Sequence, residues 1–425
     1  MFYCFKVTPD QRDYLRFFWY EDNIFGKPII EYRMCVHVFG NKPSPAVATY
    51  GLREIVKDAD PDIREFVNKN FYVDDGLTSC EDATTAISLL QRTQAVLKNG
   101  GGIRLHKFAS NSPEVVNAFP TEDIVKHVRE FGLGNGDAPD QSSLGVIWNL
   151  KNDTFRFDVN LRDMPFTRRG ILSLINGIFD PLGFLAPVLV RARVLLREMM
   201  ESTNTWDEPL PLVFEQRWKS WKNSLSALKS LNIPRTYRKA RPIDIISENL
   251  LVYCDASEQA VAAVVDLQTV TPVGTEVGFV IGKSRIAPKQ GYTIPRLELC
   301  SAVLAVELAK TASTELDMSP TNIRYYSDSK VALGYISNTT KRFHTFVANR
   351  VNKITRFSTY QQWFYVASEK NPADQGTRCL DASRLSESVW LTGPRQPYTD
   401  EGRNSMFPLV EPQMDKEIRK EDICT

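Results

Sequence analysis

The chain alternates between short extended apolar runs and longer stretches in which apolar residues return every three or four positions. Over residues 1–160, DYLRFFWY (13–20) and IIEYRMCVHVF (29–39) read as extended, and SPAVATYGLREIVKDA (44–59) reads as helical. CEDATTAISLLQRTQAVLKNGG (80–101) has acids at its start, an amphipathic middle and a Gly-Gly stop, which predicts a helix. GVIWNLKNDTFRFDV (145–159) predicts a hairpin turning at Lys151-Asn152-Asp153. From Thr167 to about Leu231 the pattern is mainly helical, interrupted by Pro181 and Pro187, and IPRTYRKARPID (233–244) reads as a linker. A second set of strands and helices follows from about Asn249: LLVYCDASEQAVAAVVDL, EVGFVIGKSRI and IRYYSDS extended, LELCSAVLAVELAKTAS and KVALGYIS helical. Beyond Thr392 the chain is polar and proline-bearing, and a poorly ordered tail is expected. The order of elements predicts an α+β unit followed by an α/β unit.

With 425 residues, 43% of them hydrophobic, the chain is long enough for two or three cores. No apolar run reaches the roughly eighteen residues of a membrane span, and no signal-like start is visible, so an intracellular location, cytoplasm or nucleus, is expected. Seven cysteines without CxxC spacing and four scattered histidines point to reduced thiols and no structural zinc. The net charge of +1 conceals an asymmetry, because residues 162–241 carry fourteen Lys/Arg against seven Asp/Glu. A basic middle suits contact with a polyanion, although solvated helix faces would read the same way.

Two groups of acids stand out. Asp74 and Asp75 follow the strand-like Phe71-Tyr72-Val73, and adjacent like charges are costly unless a cation or strong donors hold them. In the second unit, Asp255 ends an apolar strand, Glu298 is expected in the first turn of the helix after Pro295, Asp328 ends the next strand, and Asp374 follows Asn-Pro-Ala. Element ends of an α/β sheet are the places from which side chains converge on one edge. Carboxylates sharing a dry pocket need cations, and hard oxygen ligands select Mg2+ or Mn2+.

The words YCDAS, TIPRLELCSAVLAVELA, YYSDSKVALGYI, FVANRV and NPADQGTR resemble the ribonuclease H domain of retroelement polyproteins, most closely the Pao/BEL group of LTR retrotransposons. The resemblance implies Asp255, Glu298, Asp328 and Asp374 as metal ligands, at separations of 43, 30 and 46 residues. Tyr72-Val73-Asp74-Asp75 is similar to the catalytic turn of reverse transcriptases, with VFGNKPSPAVAT before it and GGIRLHKFASN after it. Lys107 would then fall where a lysine can protonate pyrophosphate, and SLGVIWN would be the primer-positioning hairpin. RRGILSLINGIFDPLGFLAPVLVRARVLL and WDEPLP resemble the thumb and connection. There Arg168, Arg169, Arg191 and Arg193 are expected to follow nucleic-acid phosphates, whereas Trp218 and Trp221 are expected in the core.

The resemblance thus implies a truncated reverse-transcriptase palm over residues 1–137, a basic thumb and connection over 138–247, a ribonuclease H-like domain over 248–392, and a tail over 393–425. Its expected activity is two-metal hydrolysis of the RNA strand of RNA–DNA hybrids. Other parts of a retrotransposon polyprotein are possible partners, and no membrane is expected. Two departures matter. Tyr365 stands in WFYV where the family carries a histidine, and a phenol is a poor proton shuttle at neutral pH. Residues 1–9 contain no acid to complete the polymerase site around Asp74 and Asp75, so polymerisation by this chain alone is not expected. A non-catalytic, nucleic-acid-binding or interaction protein is the alternative. His344 reads as a surface or nucleic-acid-contacting residue. With no DTG or DSG word and no paired His and Cys ligands, protease and integrase chemistry have no support.

Overall fold

The computed structural model describes residues 1–125, 140–143, 146–157, 159, 163–202, 205–288, 291–394 and 406–419. The chain divides into two compact units, Met1–Asp153 and Thr154–Thr425. The boundary expected at 137/138, and Leu144 and Gly145 of SLGVIWN, lie outside the described residues.

In the first unit, strands β1 (Arg16–Tyr20) and β2 (Ile29–Arg33) pair antiparallel. Helices α1 (Ser44–Ile55), α2 (Pro61–Asn70) and α3 (Ala83–Gly101) close on a small core of Leu52, Val56, Phe66, Leu89 and Leu97. The start of α3 is fixed by an acid that predicted it, whereas the expected Gly-Gly stop lies inside the helix, which is capped one residue later by Gly102. The Asp82 carboxylate accepts from the Thr85 N–H at 2.7 Å, and Gly102 adopts φ +62° to return its N–H to the Lys98 carbonyl. Between α2 and α3 lies a minimal hairpin, β3 (Phe71–Tyr72) and β4 (Asp75–Gly76). Further on, β5 (Asp140–Ser143) pairs with β6 (Val146–Asn149), and the expected turn after β6 is held by the Trp148 indole N–H donating to Asp153 at 2.8 Å.

The second unit starts with β7 (Thr154–Arg156), which pairs with β8 (Ile233–Pro234). Its centre is a five-stranded sheet of β9 (Ser247–Ala256), β10 (Ala260–Thr271), β11 (Gly274–Ile286), β12 (Ile323–Ser327) and β13 (Trp363–Tyr365), in the spatial order β11-β10-β9-β12-β13. β9, β10 and β11 form an antiparallel meander, while β12 runs parallel to β9 and β13 parallel to β12. Alternate residues of β9 serve different cores. Leu250, Val252 and Cys254 pack with Leu299, Ala302 and Ala305 of the Ile294–Glu315 helix. Leu251 and Tyr253 pack with Ile171, Leu185, Leu189 and Trp221 on the other face. Burial on both faces explains why this strand reads as an unbroken apolar run.

The double cover also changes the reading of the middle segment. The helices Arg168–Asn176, Ala186–Met200 and Glu215–Ser224 spend their apolar faces on the sheet, so residues expected as a separate thumb and connection form one layer of the second unit. Pro187 sits at the second position of its helix, where no N–H is needed, and so opens a helix rather than breaking one. The expected linker is pinned as well: Arg238 pairs with Glu248 at 2.6 Å, and the Lys239 N–H donates to the Glu276 carboxylate at 2.8 Å. Trp218 and Trp221 are stacked and buried, and the Trp221 indole donates to the Val188 carbonyl at 3.0 Å.

The tail departs from expectation over 406–419. Phe407, Leu409 and Ile418 pack against the core beside the Ile294–Glu315 helix, Ile418 bridges to Phe343, and Asp415 accepts from the Tyr335 hydroxyl at 2.7 Å. Its polar composition conceals three apolar anchors spaced too widely to register as a pattern. Among the described residues, no helix is long and apolar enough to cross a membrane.

Candidate metal centre

Asp255, Glu298 and Asp328 come together at one edge of the sheet. β9 and β12 are hydrogen-bonded neighbours that run in the same direction, so Asp255, near the end of β9, and Asp328, directly after β12, leave the sheet on the same side. Glu298 is the fifth residue of the Ile294–Glu315 helix, one position beyond its first turn, and that helix lies across the same strands. One carboxylate oxygen from each of the three residues lies within 4.8 Å of the others.

The electrostatics follow from this crowding. Burial first, then the carboxylates of Asp255 and Asp328, push the Glu298 carboxyl up to about 9. Asp255 is pushed up to about 6, by burial and then by Asp328 and Asp374, against the opposing effect of the Thr377 hydroxyl. Glu298 Oε2 and Asp328 Oδ1 are buried without a hydrogen-bond partner. Buried oxygens in that condition are uncommon, and a cation-binding role is one explanation for them. The donors are all hard carboxylate oxygens, the set that suits Mg2+ or Mn2+.

Asp374 lies close enough to Asp328 and Asp255 to act on them electrostatically but stands outside the three-carboxylate group. It opens a one-turn helix, Asp374–Thr377, and its Oδ1 accepts from Arg378 Nε at 2.6 Å. Burial raises its carboxyl above the ordinary range, while Arg378 opposes the shift. Tyr365 ends β13 beside Ser327, half exposed, with the Lys330 ammonium 5.0 Å from its ring centroid. His344 is exposed at the start of the Thr345–Thr355 helix.

Three neighbours of the carboxylates were not singled out from the sequence: Thr377 and Asn371 lie in NPADQGTR, and Ser368 lies three residues before it. Thr377, buried, donates to Asp255 Oδ2; Ser368 donates to Asp328 Oδ2; and Asn371, also buried, donates from Nδ2 to the Cys254 carbonyl at 2.9 Å. The clustering of Ser, Asn and Thr around Asp374 was the available signal.

The other acid pair occupies the β3–β4 hairpin. Tyr72 pairs with Asp75, which leaves Val73 and Asp74 as the turn, and Val73 takes φ +59°. A β-branched residue in that region is strained, a condition often kept at functional turns. Burial and then Asp74 raise the Asp75 carboxyl, and Lys107 opposes them, so Lys107 lies near the pair. Among the described residues, no third Asp, Glu, His or Cys joins Asp74 and Asp75 in a metal-sized group.

The arginines expected to track phosphates each have partners within the protein, and Arg169 and Arg191 stay partly exposed beside theirs. Arg168 is buried and lies over the Trp206 ring at 4.8 Å, and Arg169 clasps both oxygens of Asp207 at 2.7 and 3.1 Å. Arg191 pairs with Asp381 at 3.1 Å, and Arg193 donates to the Ser284 carbonyl at 3.3 Å. Arg193 ties the helical layer to the sheet and Arg191 ties it to the segment after the sheet, whereas Arg168 and Arg169 meet partners within the layer; sequence charge alone cannot separate these roles from phosphate binding.

Residues 167–329 match the Pao retrotransposon-like RNaseH-like domain. The match begins in the helical layer and ends just after Asp328, so this domain includes both the helices that cover the sheet and the three clustered carboxylates; Asp374 and the Asp74–Asp75 hairpin lie beyond it. No curated protein matches the chain. Over 96% of its length the fold is similar to a foamy viral protease-reverse transcriptase solved in complex with RNA/DNA hybrid, at 14% identity and a TM-score of 0.50. The chain spans about 45% of the length of that viral chain. Matches also extend to the N-terminal RNase H domain of a Mycobacterium tuberculosis protein, solved as a maltose-binding-protein fusion, at 13% identity over 33% of this chain and 97% of that one, TM-score 0.24. RNase H1 of Halobacterium salinarum NRC-1 matches at 15% identity over 30% and 91%, TM-score 0.20.

Proposed function

We propose that the second unit hydrolyses the RNA strand of RNA–DNA hybrids, with Asp255, Glu298 and Asp328 as the ligands of divalent cations and Asp374 as a fourth carboxylate. The observation that carries this reading is the meeting of three carboxylates from three separate elements within 4.8 Å, two of them with buried, unpartnered oxygens. Bound Mg2+ or Mn2+ would activate a water and stabilise the leaving oxygen of a phosphodiester.

The chain's own residues set up the rest. β9 and β12 fix the spacing of Asp255 and Asp328, and the long helix delivers Glu298 from above. Arg378 occupies one oxygen of Asp374 and competes with a cation for it. Tyr365, beside Ser327 and under the Lys330 ammonium, stands where a histidine would serve as the proton shuttle. Slow turnover follows.

The test is cleavage of a labelled RNA–DNA hybrid. Mg2+-dependent cleavage, lost with Asp255→Asn or on chelation, is expected; cleavage that survives chelation, or none with either Mg2+ or Mn2+, overturns the assignment. The Arg378–Asp374 pair and Tyr365 favour one alternative, a protein that binds hybrids without cutting them. The β3–β4 hairpin with Asp74, Asp75 and Lys107 keeps the outline of a polymerase turn. Without a third ligand among the described residues, nucleotidyl transfer is not assigned to this chain by itself.

A further inference from the structure

The segment that follows β13 reaches back to two of the clustered carboxylates and occupies one oxygen of each. The Thr377 hydroxyl is placed to donate its single proton to Asp255 Oδ2, with the Asp374 carbonyl at 2.9 Å as the competing acceptor, and Ser368 donates to Asp328 Oδ2. The oxygens left over are the ones that matter to a cation: Asp328 Oδ1 and Glu298 Oε2 are buried with no partner. We propose that Thr377 is a positioning residue of the metal centre, whose hydroxyl fixes the Asp255 carboxylate so that Oδ1 is the oxygen available as a ligand. Ser368 does the same for Asp328, with a smaller share. The inference rests on the reading that this cluster binds a divalent cation, and deepens it.

Thr377 is well placed for the task. It is buried, and its carbonyl accepts from the Ser257 hydroxyl at 3.3 Å, two residues past Asp255. Asn371 ties the same segment to the end of β9 through the Cys254 carbonyl, while its Oδ1 accepts from the Ala373 N–H at 3.1 Å. The segment that carries the donor is therefore anchored on both sides of the carboxylate it serves, by the Ser257 hydroxyl and by the Cys254 carbonyl. Its β-branched side chain has few alternative rotamers to fall into. A buried hydroxyl cannot be replaced by water when it is removed, and Asp255 would then be free to rotate away from the ligand geometry. Ser368 is exposed, so water can take over its bond to Asp328 at little cost. Partners that orient metal ligands in this way contribute about 10- to 100-fold in metal affinity.

The experiment is calorimetric titration of the full chain with Mn2+, alongside thermal unfolding with and without the ion. Thr377→Val is expected to weaken Mn2+ binding about 10-fold or more. Thr377→Ser, which restores the hydroxyl, and Ser368→Ala should stay within about threefold of the parent. Should Thr377→Val fail to unfold cooperatively, Thr377→Ala carries the same comparison. Parent-like affinity in the Val or Ala variant, with the parent binding Mn2+ and Asp255→Asn not, overturns this inference alone. A parent chain that binds no Mn2+, or an Asp255→Asn variant that binds it equally well, overturns the metal-centre reading and this inference with it.

Discussion

Arg296 and Glu417 meet across 121 positions of sequence in a two-point ion pair, Nε to Oε1 at 2.6 Å and Nη2 to Oε2 at 3.1 Å. Arg296 lies two residues before Glu298 on the same helix, and its guanidinium also rests on the Phe346 ring at 4.7 Å. The pair therefore fastens the 406–419 segment to the element that delivers a candidate ligand. Glu417 is nearly buried while Arg296 is partly exposed, so removing the carboxylate strands a cation that water reaches only in part. Glu417→Ala is expected to lower stability by about 1–3 kcal/mol, read as a lower urea midpoint with an unchanged slope. An unchanged midpoint would show that the segment is held by its apolar anchors and the Tyr335–Asp415 hydrogen bond without help from this ion pair.

The carboxylate cluster makes the metal-free protein sensitive to pH in a defined direction. Asp255 is pushed up to about 6 and Glu298 to about 9, whereas in the unfolded chain both ionise near 4. Between those values the folded state retains protons that the unfolded chain has released. Their contribution to stability is therefore full below about pH 4 and is lost as the pH climbs through 6 and towards 9. A divalent cation binds the ionised carboxylates of the folded state and offsets this loss. In EDTA the Tm should fall from pH 5 to pH 9, and Mg2+ should raise it more at pH 8.5 than at pH 5.5. A Tm in EDTA that is flat or rising over that range would contradict the burial of these groups.

A trade of stability against activity follows at Asp255. Asp255→Asn keeps the shape and can still accept from Thr377, but removes a buried charge from beside Asp328 and Glu298. At pH 8 without metal the variant should be more stable than the parent, by on the order of 1–3 kcal/mol, while its metal-dependent cleavage is lost. Equal loss of stability and activity would identify Asp255 as a structural residue.

The carboxylates and their order were legible in the sequence because each sits at an element end, and element ends are marked by local patterns such as the apolar run before Asp255 and the proline before Glu298. What escaped was long-range. Arg168, Arg169, Arg191 and Arg193 look identical on paper whether they meet phosphate, Asp207, Asp381 or a carbonyl of β11. The helices of residues 168–224 show an amphipathic face without saying what covers it, and the answer is the back of the sheet. The tail was read from composition, but Phe407, Leu409 and Ile418 find a groove that composition cannot reveal.

Val73 offers a test in the first unit. With φ +59° it occupies the left-handed region in a two-residue turn, at a cost of about 1–3 kcal/mol for a β-branched side chain. Asparagine tolerates that region. Val73→Asn should therefore raise the stability of the first unit by about 1 kcal/mol, measured as a higher urea midpoint. A lower midpoint would mean that the Val73 side chain contributes packing that outweighs its backbone strain.

Asp266 lies within β10, where the pairing with β11 shifts register between Val265 and Asp266. It is fully buried, and among the described residues both of its carboxylate oxygens lack a hydrogen-bond partner. Burial alone holds its carboxyl well above the ordinary range, with no charged neighbour contributing. The folded protein must therefore keep this group neutral, and the cost of doing so grows as the pH rises above the unfolded value near 4. Valine fits a strand, removes both orphaned oxygens and cannot ionise. Asp266→Val should thus gain about 1–3 kcal/mol in urea unfolding at neutral pH, with a larger gain at pH 8.5 than at pH 5. A variant less stable than the parent at both values would show that the Asp266 carboxyl makes a favourable interaction of its own, and that the register shift beside it exists to accommodate that interaction.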